Sequence, residues 1–221
     1  MISGPDLAAD RERALALTPV SRETLARLDR FVELLVETQS HTNLIGPATV
    51  PELWTRHIAD SLQLLDLAPD AAVWLDLGSG AGLPGLVIAC ALAGRHGAMV
   101  HLVESTRKKA AFLQRVAEAL ALPATVHHIR VEDFSPEFTA QVITARALAP
   151  LPKLLGYVAG FLESGAKALL PKGQDVEAEL TEAAKYWKIE ADLVASRTNP
   201  ASRIVVVRAL RRHAGVQGRG T

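Results

Sequence analysis

The sequence has little cysteine, little aromatic content and no excess of charge of either sign. Cys90 is the only cysteine among 221 residues, which excludes a disulfide framework and a thiolate metal cluster and favours a reducing compartment. The 24 basic residues balance 24 acidic ones, so the formal net charge is zero. This balance argues against a protein that holds nucleic acid over its whole surface, and any nucleic-acid site must therefore be local.

Long hydrophobic runs are also missing. The longest strongly apolar stretch, residues 86–93, is far shorter than the ~20 residues that span a bilayer. Residues 1–17 include Asp6, Asp10 and Glu12 where a signal peptide would need an apolar run. We therefore expect a cytoplasmic protein without a membrane span, and the 49% hydrophobic content is enough for a sizeable core.

Hydrophobic periodicity divides the chain into three parts. Apolar residues at helical spacing predict helices over residues 21–37 and 51–67, and no strand pattern occurs before residue 71, so residues 1–70 are predicted to be a helical extension. From 71 to 210, β-rich runs alternate with helical ones, which predicts a doubly wound α/β domain with a parallel sheet. The last two of seven runs, 188–195 and 203–210, should pair as an antiparallel hairpin, and the basic residues 211–221 are predicted to be a disordered tail.

Three alternating glycines follow the first predicted strand. Gly78, Gly80 and Gly82 lie where open α/β sheets bind ligands, at the carboxyl end of the strand, although a tight turn without a ligand is the alternative. No Gly-Lys-Ser/Thr follows, which excludes a P-loop. A dinucleotide site stays open, because residues 80–85 satisfy G-x-G-x-x-G and Glu104 ends the next strand, where the ribose-binding acid belongs.

The acidic residue that precedes the glycines, Asp76, helps to distinguish a dinucleotide site from a site for another nucleoside ligand. A carboxylate near a bound pyrophosphate is unfavourable, whereas S-adenosyl-L-methionine carries cationic groups and no phosphate. Asp76 therefore favours S-adenosylmethionine as the ligand. The alternative is that Asp76 is a buried acid held by turn amides. Glu104 is placed to accept hydrogen bonds from the ribose hydroxyls. Val131 and Glu132 follow the third strand, where an adenine ring is usually enclosed, although a solvated acidic loop explains them equally well.

The order and spacing of several short motifs resemble those of the glucose-inhibited division protein B family, the small-subunit rRNA methyltransferases G. The resemblance extends from about residue 43 to 208, and one departure is that Thr38 and Gln39 occupy the region where a Trp commonly precedes the Asn-Leu pair. The matching motifs are Asn43-Leu44, the segment from Arg56 to Ser61, the segment from Asp76 to Gly85, Arg107-Lys108-Lys109, the segment from Val131 to Phe134, Ala145-Arg146-Ala147 and Pro171-Lys172-Gly173.

The resemblance implies a Rossmann-like class I methyltransferase that modifies N7 of a guanine in 16S rRNA, guanine 527 of the 530 loop. Its partner would be 16S rRNA, the small ribosomal subunit or an assembly intermediate, and we expect a monomer. The resemblance assigns cofactor contacts to Gly78, Leu83, Val131, Glu132 and Arg146, with Glu104 at the ribose. Asp76, Gly80 and Gly82 complete the predicted cofactor set, and Asn43, His57 and Lys172 are predicted to bind the substrate.

The residues permit this chemistry independently. Guanine N7 has an exposed lone pair, so its methylation needs alignment and no removal of a proton. Cys90 lies in the first sheet helix, away from where a pyrimidine C5 methyltransferase needs its nucleophile, and no Asn/Asp-Pro-Pro-aromatic segment follows the fourth strand. Arg146 is therefore the predicted catalytic residue, with a structural ion pair as the alternative. No metal role is expected, because the neighbours His127 and His128 point to opposite faces of a strand.

Two other functions stay open at this point. A small-molecule or protein methyltransferase would use the same cofactor site, and a nucleotide-binding oxidoreductase or sensor would use the G-x-G-x-x-G match. Binding of S-adenosylhomocysteine compared with NAD would separate the methyltransferases from the oxidoreductase.

Overall fold

A computed structural model describes residues 4–213, with side chains from residue 7 onwards. The strands are β1 (Val73–Leu77), β2 (Met99–Val103), β3 (Ala124–His127), β4 (Val142–Thr144), β5 (Lys167–Lys172), β6 (Trp187–Ala195) and β7 (Arg203–Arg212). The α-helices are α1 (Gly4–Leu17), α2 (Arg22–Gln39), α3 (Asp60–Leu62), α4 (Gly85–Leu92), α5 (Arg107–Ala119), α6 (Leu151–Glu163) and α7 (Val176–Ala183).

The seven strands form one sheet in the order β3-β2-β1-β4-β5-β7-β6. The first five are parallel, while β7 runs antiparallel to β5 and pairs with β6 as a hairpin. The predicted doubly wound, seven-stranded α/β fold is thereby confirmed. Strand order reverses between β1 and β4, and a crevice opens at such a switch point, at the carboxyl ends of these two strands.

Helices cover both faces of the sheet because the central strands are apolar on both faces. In β1, Trp74 packs into a cluster with α2, α4 and α5, whereas its neighbour Leu75 packs into a second cluster with α6 and α7. Both side chains are fully buried. Burial on both faces is typical of parallel sheets, and it leaves the strand ends as the place where the chain can expose functional groups.

The prediction of one regular helix over residues 51–67 is wrong. The segment consists of a 3₁₀ turn (Pro47–Glu52), a π-helical segment (Trp54–Ala59), the short α3 and a second 3₁₀ turn (Leu65–Leu67). Pro51 lacks the N–H that a regular helix would use there. Asp10 of α1, which is fully buried, accepts hydrogen bonds from the amides of Trp54 and Thr55, so the helical ladder restarts at Trp54.

The predicted boundaries near residues 71 and 211 both lie within the residues that the structure describes. The helical residues before 71 share a hydrophobic cluster with α4 and α5, so they pack on the sheet domain. The predicted tail does not begin at residue 211, because Arg211 and Arg212 belong to β7 and pair with Lys188 and Trp187 of β6. The rest of the predicted tail, residues 214–221, lies outside the residues that the structure describes.

Membrane-spanning helices and metal-binding clusters are both absent from the part of the chain that the structure describes, residues 4–213. No helix in this range is long and apolar enough to cross a membrane. Among the described side chains, residues 7–213, no group of three or more His, Cys, Asp or Glu residues is arranged to hold a metal ion.

Candidate active site

A cleft of about 530 Å³ lies at the carboxyl ends of β1, β2 and β4. This volume is within the usual range of small-molecule sites. Its lining includes eight of the predicted site residues: Gly78, Gly80, Leu83, Glu104, Val131, Glu132, Arg146 and His57. The lining does not include the other four predicted residues, Asp76, Gly82, Asn43 and Lys172.

The glycine turn forms the floor of the cleft. Gly80 has φ +56°, a conformation that favours glycine, and a Cβ built there would meet nothing closer than the Gly78 carbonyl oxygen at 3.8 Å. A side chain at Gly80 would therefore project into open space beside the cleft. Gly82 has a different role, because a Cβ there would lie 2.4 Å from Cδ1 of Leu86, so its lack of a side chain serves the packing of α4.

Asp76 lies behind the turn and does not face the cleft. Its Oδ2 accepts a hydrogen bond from the Gly85 amide at 3.1 Å and its Oδ1 accepts one from the Thr144 hydroxyl at 2.7 Å. Burial raises the pKa of this carboxyl to about 6, against the lowering effect of the Thr144 hydrogen bond. Asp76 thus ties the start of α4 to β4, and the structure does not support its predicted direct contact with a cofactor.

Glu104 follows β2, borders the cleft and is 7% exposed. Its Oε2 accepts a hydrogen bond from the Gly80 amide at 2.9 Å, and its Oε1 accepts one from the Thr106 amide at 2.6 Å. A carboxylate has about four lone-pair sites, so these two bonds fix the group and leave acceptors for a diol. The geometry is compatible with the predicted ribose contact.

Arg146 lies in the turn after β4, and its side chain borders the cleft. Its guanidinium contacts the N-terminal extension: Nη2 lies 2.9 Å from Nδ1 of His57, and Nη1 donates to Oδ2 of Asp60 and to the Arg56 carbonyl oxygen, each at 3.2 Å. The next residue, Ala147, has φ +54°, which L-residues rarely adopt, and it turns the chain away directly after Arg146. The side chain is therefore held in a fixed position at the edge of the cleft.

His57 is the partner of Arg146 that also borders the cleft. Burial, with the positive charges of Arg146 and Arg56, lowers the pKa of His57 to about 3. Its Nε2 lies 2.9 Å from the hydroxyl oxygen of Thr49, so both ring nitrogens have partners within the protein. His57 is consequently a neutral positioning group in this structure and has no free nitrogen to bind a substrate.

Asp60 connects this network to the β6–β7 hairpin. Its Oδ1 accepts hydrogen bonds from Nε2 of Gln63 at 2.8 Å and from the hydroxyl of Thr198 at 2.9 Å, while Oδ2 holds Arg146. Asp60 follows His57 by three residues, so both side chains come from the same short helical region of the extension. Their contacts favour packing around Arg146.

Lys172 borders a second cavity of about 300 Å³, which shares Arg146 and Ala147 with the cleft. Its Nζ forms an ion pair with Oε2 of Glu179 at 2.7 Å and donates to the Ala149 carbonyl oxygen at 3.3 Å. Asn43, the third predicted substrate residue, is exposed beside Leu44, which does line the cleft.

Sequence reasoning missed three residues that shape the site. Thr144, fully buried in β4, anchors Asp76. Gln39 binds the amides of Leu44 and Ile45 through Oε1, at 2.8 and 3.0 Å, and so holds one wall of the cleft. Tyr157 of α6 lines the cleft and donates a hydrogen bond to Glu132. A polar residue at a predicted strand end could have indicated Thr144, whereas the other two carry no local signal.

Comparison with known proteins assigns the chain to a family. The family model for GidB, rRNA small subunit methyltransferase G, matches residues 24–211. The chain belongs to this family. A ribosomal RNA small subunit methyltransferase G of Bradyrhizobium sp. strain BTAi1 is 56% identical over 215 residues, 96% of this chain and 97% of the relative. A protein of the same name from Nitrobacter hamburgensis is 57% identical over 203 residues, 91% of this chain and 78% of the relative.

Solved structures agree at the level of the fold. A SAM-dependent methyltransferase from Aquifex aeolicus superposes with a TM-score of 0.55 at 13% identity, covering 81% of this chain and 97% of that chain. M. jannaschii TYW2 in complex with AdoMet gives a TM-score of 0.52 at 15% identity, covering 71% of this chain and 76% of that chain. At these identities the likeness supports the class I methyltransferase fold and carries no argument about substrate.

Family membership confirms the predicted cofactor, S-adenosyl-L-methionine. The cleft fits this molecule: the floor is open above Gly80, Glu104 offers a fixed carboxylate, and the volume is about 530 Å³. The residues that would hold it are those of the glycine turn, Glu104 and the Val131–Glu132 pair.

Proposed function

We propose that this methyltransferase modifies N7 of a guanine in 16S rRNA, guanine 527 of the 530 loop. S-adenosylmethionine, when bound, supplies an electrophilic methyl group. Guanine N7 already presents a lone pair, so the protein needs to position the base and exclude water and does not need a general base. Support for the target as rRNA comes from the family and from relatives named ribosomal RNA small subunit methyltransferase G.

One observation carries the choice of a ring nitrogen: neither His57 nor Cys90 is available in the cleft as a base or a nucleophile. His57 is neutral and both its nitrogens are hydrogen-bonded. Cys90 is buried in α4, outside the cleft lining, and burial raises its pKa to about 12, so a thiolate attack on a pyrimidine carbon is not supported. Both facts favour a target atom whose lone pair is already available.

Arg146 is the residue that we infer acts at the reaction centre. Its position between the cleft and the second cavity allows contact with the guanine O6, which neighbours N7, or with a phosphate. Asp60, His57 and the Arg56 carbonyl fix the guanidinium in advance, so little rotamer freedom would be lost when the base binds. We also propose that the enzyme acts in the cytoplasm as a monomer, on 16S rRNA or on a small-subunit particle.

The deciding experiment uses small subunits from cells that lack this gene. Incubation with the purified protein and S-adenosylmethionine, followed by mass mapping of the 16S rRNA, should reveal one new 7-methylguanosine in the 530 loop. Naked 16S rRNA and complete subunits, tested in parallel, identify the accepted substrate. A methyl group on a pyrimidine or on an exocyclic amine, or no transfer to any of these RNAs, would refute the proposal.

Competing functions differ in what the cleft binds. Calorimetry with S-adenosylhomocysteine should show binding, and NAD should show none, because the Gly80 amide, which a pyrophosphate at the glycine turn would need, already donates to Glu104. Binding of NAD in preference would favour the oxidoreductase alternative.

A further inference from the structure

Strand order fixes the direction in which a cofactor lies along the cleft. The sheet places β1 between β2 and β4, and β3 outside β2. Arg146 follows β4, Glu104 follows β2, and Val131 and Glu132 follow β3. If the ribose binds Glu104, as the geometry of that carboxylate allows, the reacting end lies toward Arg146 and the purine ring lies toward Glu132.

Glu132 has an unusual set of contacts for an exposed loop residue. The hydroxyl of Tyr157 donates a hydrogen bond to its Oε1. Nζ of Lys153 lies 3.7 Å from the same oxygen, but both side chains of that pair are more than half exposed, so we expect the lysine to contribute little. A carboxylate has about four lone-pair sites, so the Tyr157 hydrogen bond leaves acceptors for a ligand.

These contacts orient the carboxylate of Glu132 and favour its ionised form, which accepts hydrogen bonds. The Tyr157 hydrogen bond is the main reason that the pKa of Glu132 is lowered, so the group stays ionised near neutral pH. An ionised carboxylate accepts hydrogen bonds and donates none. The carboxylate of Glu132, a residue of the cleft lining, therefore suits a ligand atom that donates, such as an exocyclic amine, and disfavours a carbonyl oxygen at the same position.

We propose that Tyr157 is a positioning residue that orients the carboxylate of Glu132 toward the 6-amino group of the cofactor's purine, and thereby sets a preference for adenosyl over inosyl cofactors. Tyr157 comes from α6, about 25 residues along the chain from its partner, so the preference depends on the packing of α6 against the loop after β3. This inference rests on the cofactor site proposed above.

The test compares the binding of S-adenosylhomocysteine with that of S-inosylhomocysteine, in which oxygen replaces the 6-amino group, by calorimetry on the full-length protein. The wild type should prefer the adenosyl compound by roughly 10- to 100-fold, as expected for one hydrogen bond to a charged group. Tyr157→Phe keeps the ring and removes only the hydroxyl, and it should reduce this preference several-fold. Glu132→Gln should abolish it, because an amide can present either a donor or an acceptor.

Tyr186→Phe is the matched control, since Tyr186 is the other tyrosine of the chain and is not in the cleft lining. It should leave both affinities unchanged. An unchanged preference in Tyr157→Phe, or an equal loss of affinity for both compounds, would overturn the positioning role while leaving the methyltransferase function intact. Failure of the wild type to bind S-adenosylhomocysteine at all would instead refute the cofactor site.

Discussion

Arg146 and His57 form a hydrogen bond whose direction is fixed by chemistry. A guanidinium has only donors, so Nη2 of Arg146 must donate to Nδ1 of His57, 2.9 Å away. Nδ1 is therefore unprotonated, and the proton of the neutral ring lies on Nε2, which donates to the Thr49 hydroxyl at 2.9 Å. The imidazole thus joins the turn after β4 to the N-terminal extension through a single tautomer.

Replacing Arg146 should impair the reaction more than the binding. In Arg146→Ala, the group that would face the base at the edge of the cleft is lost, and a misplaced reactant typically costs roughly 100-fold in rate. We expect the single-turnover methylation rate to fall by about this factor even at saturating RNA and cofactor. Arg146→Lys should not restore it, because one ammonium cannot reproduce the contacts to His57, Asp60 and the Arg56 carbonyl.

Arg197→Ala serves as the control, because Arg197 is 48% exposed and pairs with Asp66 outside the cleft. It should react at the wild-type rate. Wild-type turnover by Arg146→Ala at saturation would reduce Arg146 to an affinity residue and would contradict the proposed reaction centre.

His57 should make folding stability depend on pH. Because the folded-state pKa of about 3 is below the ordinary value of 6.5, the folded protein binds fewer protons than the unfolded chain between these values. The contribution of neutral His57 is thus fully present above pH 6.5 and is lost as the pH falls toward 3. Relative to His57→Asn, whose side-chain oxygen can still accept from Arg146, the wild type should lose stability by up to about tenfold in the unfolding equilibrium constant per pH unit.

Denaturant melts of both proteins across this pH range would measure the effect. Asp76, with its raised pKa of about 6, acts in the opposite direction, but it is present in both proteins and its contribution should cancel. A difference in stability that does not vary with pH would mean that His57 gains its proton at the same pH in the folded protein as in the unfolded chain, contrary to its hydrogen bonds.

Gly80 should be required for cofactor binding, beyond any effect that its replacement has on folding. Gly80 and Gly97 both have positive φ, +56° and +73°, and at neither position would an added Cβ meet an atom closer than 3.8 Å. A valine at either site should cost similar backbone strain, ~1–3 kcal/mol. Only Gly80→Val should also lose affinity for S-adenosylhomocysteine, as calorimetry on the folded fractions would measure. Equal affinities in the two variants would count against the cleft as the cofactor site.

Sequence reasoning predicted the sheet because its cause is local and repeated. Apolar β-rich runs at regular spacing determined the strands, and the short turn before residue 203 determined the hairpin. The segment 47–67 was predicted less well, because its form depends on Asp10, more than 40 residues away in the chain, which binds the amides at Trp54 and Thr55. A helical pattern alone does not reveal such a distant partner.

In the candidate site, too, the sequence was sufficient where the signal is local and insufficient where a distant contact decides the role of a residue. Residue type and position after a strand were enough to predict Glu104 and Arg146, which line the cleft. Asp76 was assigned to the cofactor from charge alone, and the hydroxyl of Thr144, which satisfies that carboxylate, lies 68 residues further along the chain. Contacts between distant strands decide whether a polar residue at a strand end faces a ligand or the core, and a single sequence does not reveal these contacts.

Lys172 and Arg107 should differ in how they affect RNA binding. Lys172 is 11% exposed and is bound to Glu179 and the Ala149 carbonyl, whereas Arg107 is exposed at the start of α5 and has no salt bridge within residues 7–213. With a net charge of zero, few phosphates should be neutralised, so RNA affinity should fall with salt at a shallow slope. Arg107→Ala should reduce that slope by about 1 if it contacts a phosphate.

Lys172→Ala should leave the slope unchanged and lower the stability instead, because it leaves Glu179 partly buried without its partner. Titrations of a 16S rRNA fragment at several salt concentrations, together with thermal melts of each variant, separate the two effects. A Lys172→Ala protein with wild-type stability and a reduced salt slope would show that this lysine leaves Glu179 to bind RNA, as the sequence analysis expected. The ion pair with Glu179 argues for the opposite outcome, since a phosphate would have to displace a carboxylate that lies 2.7 Å from Nζ.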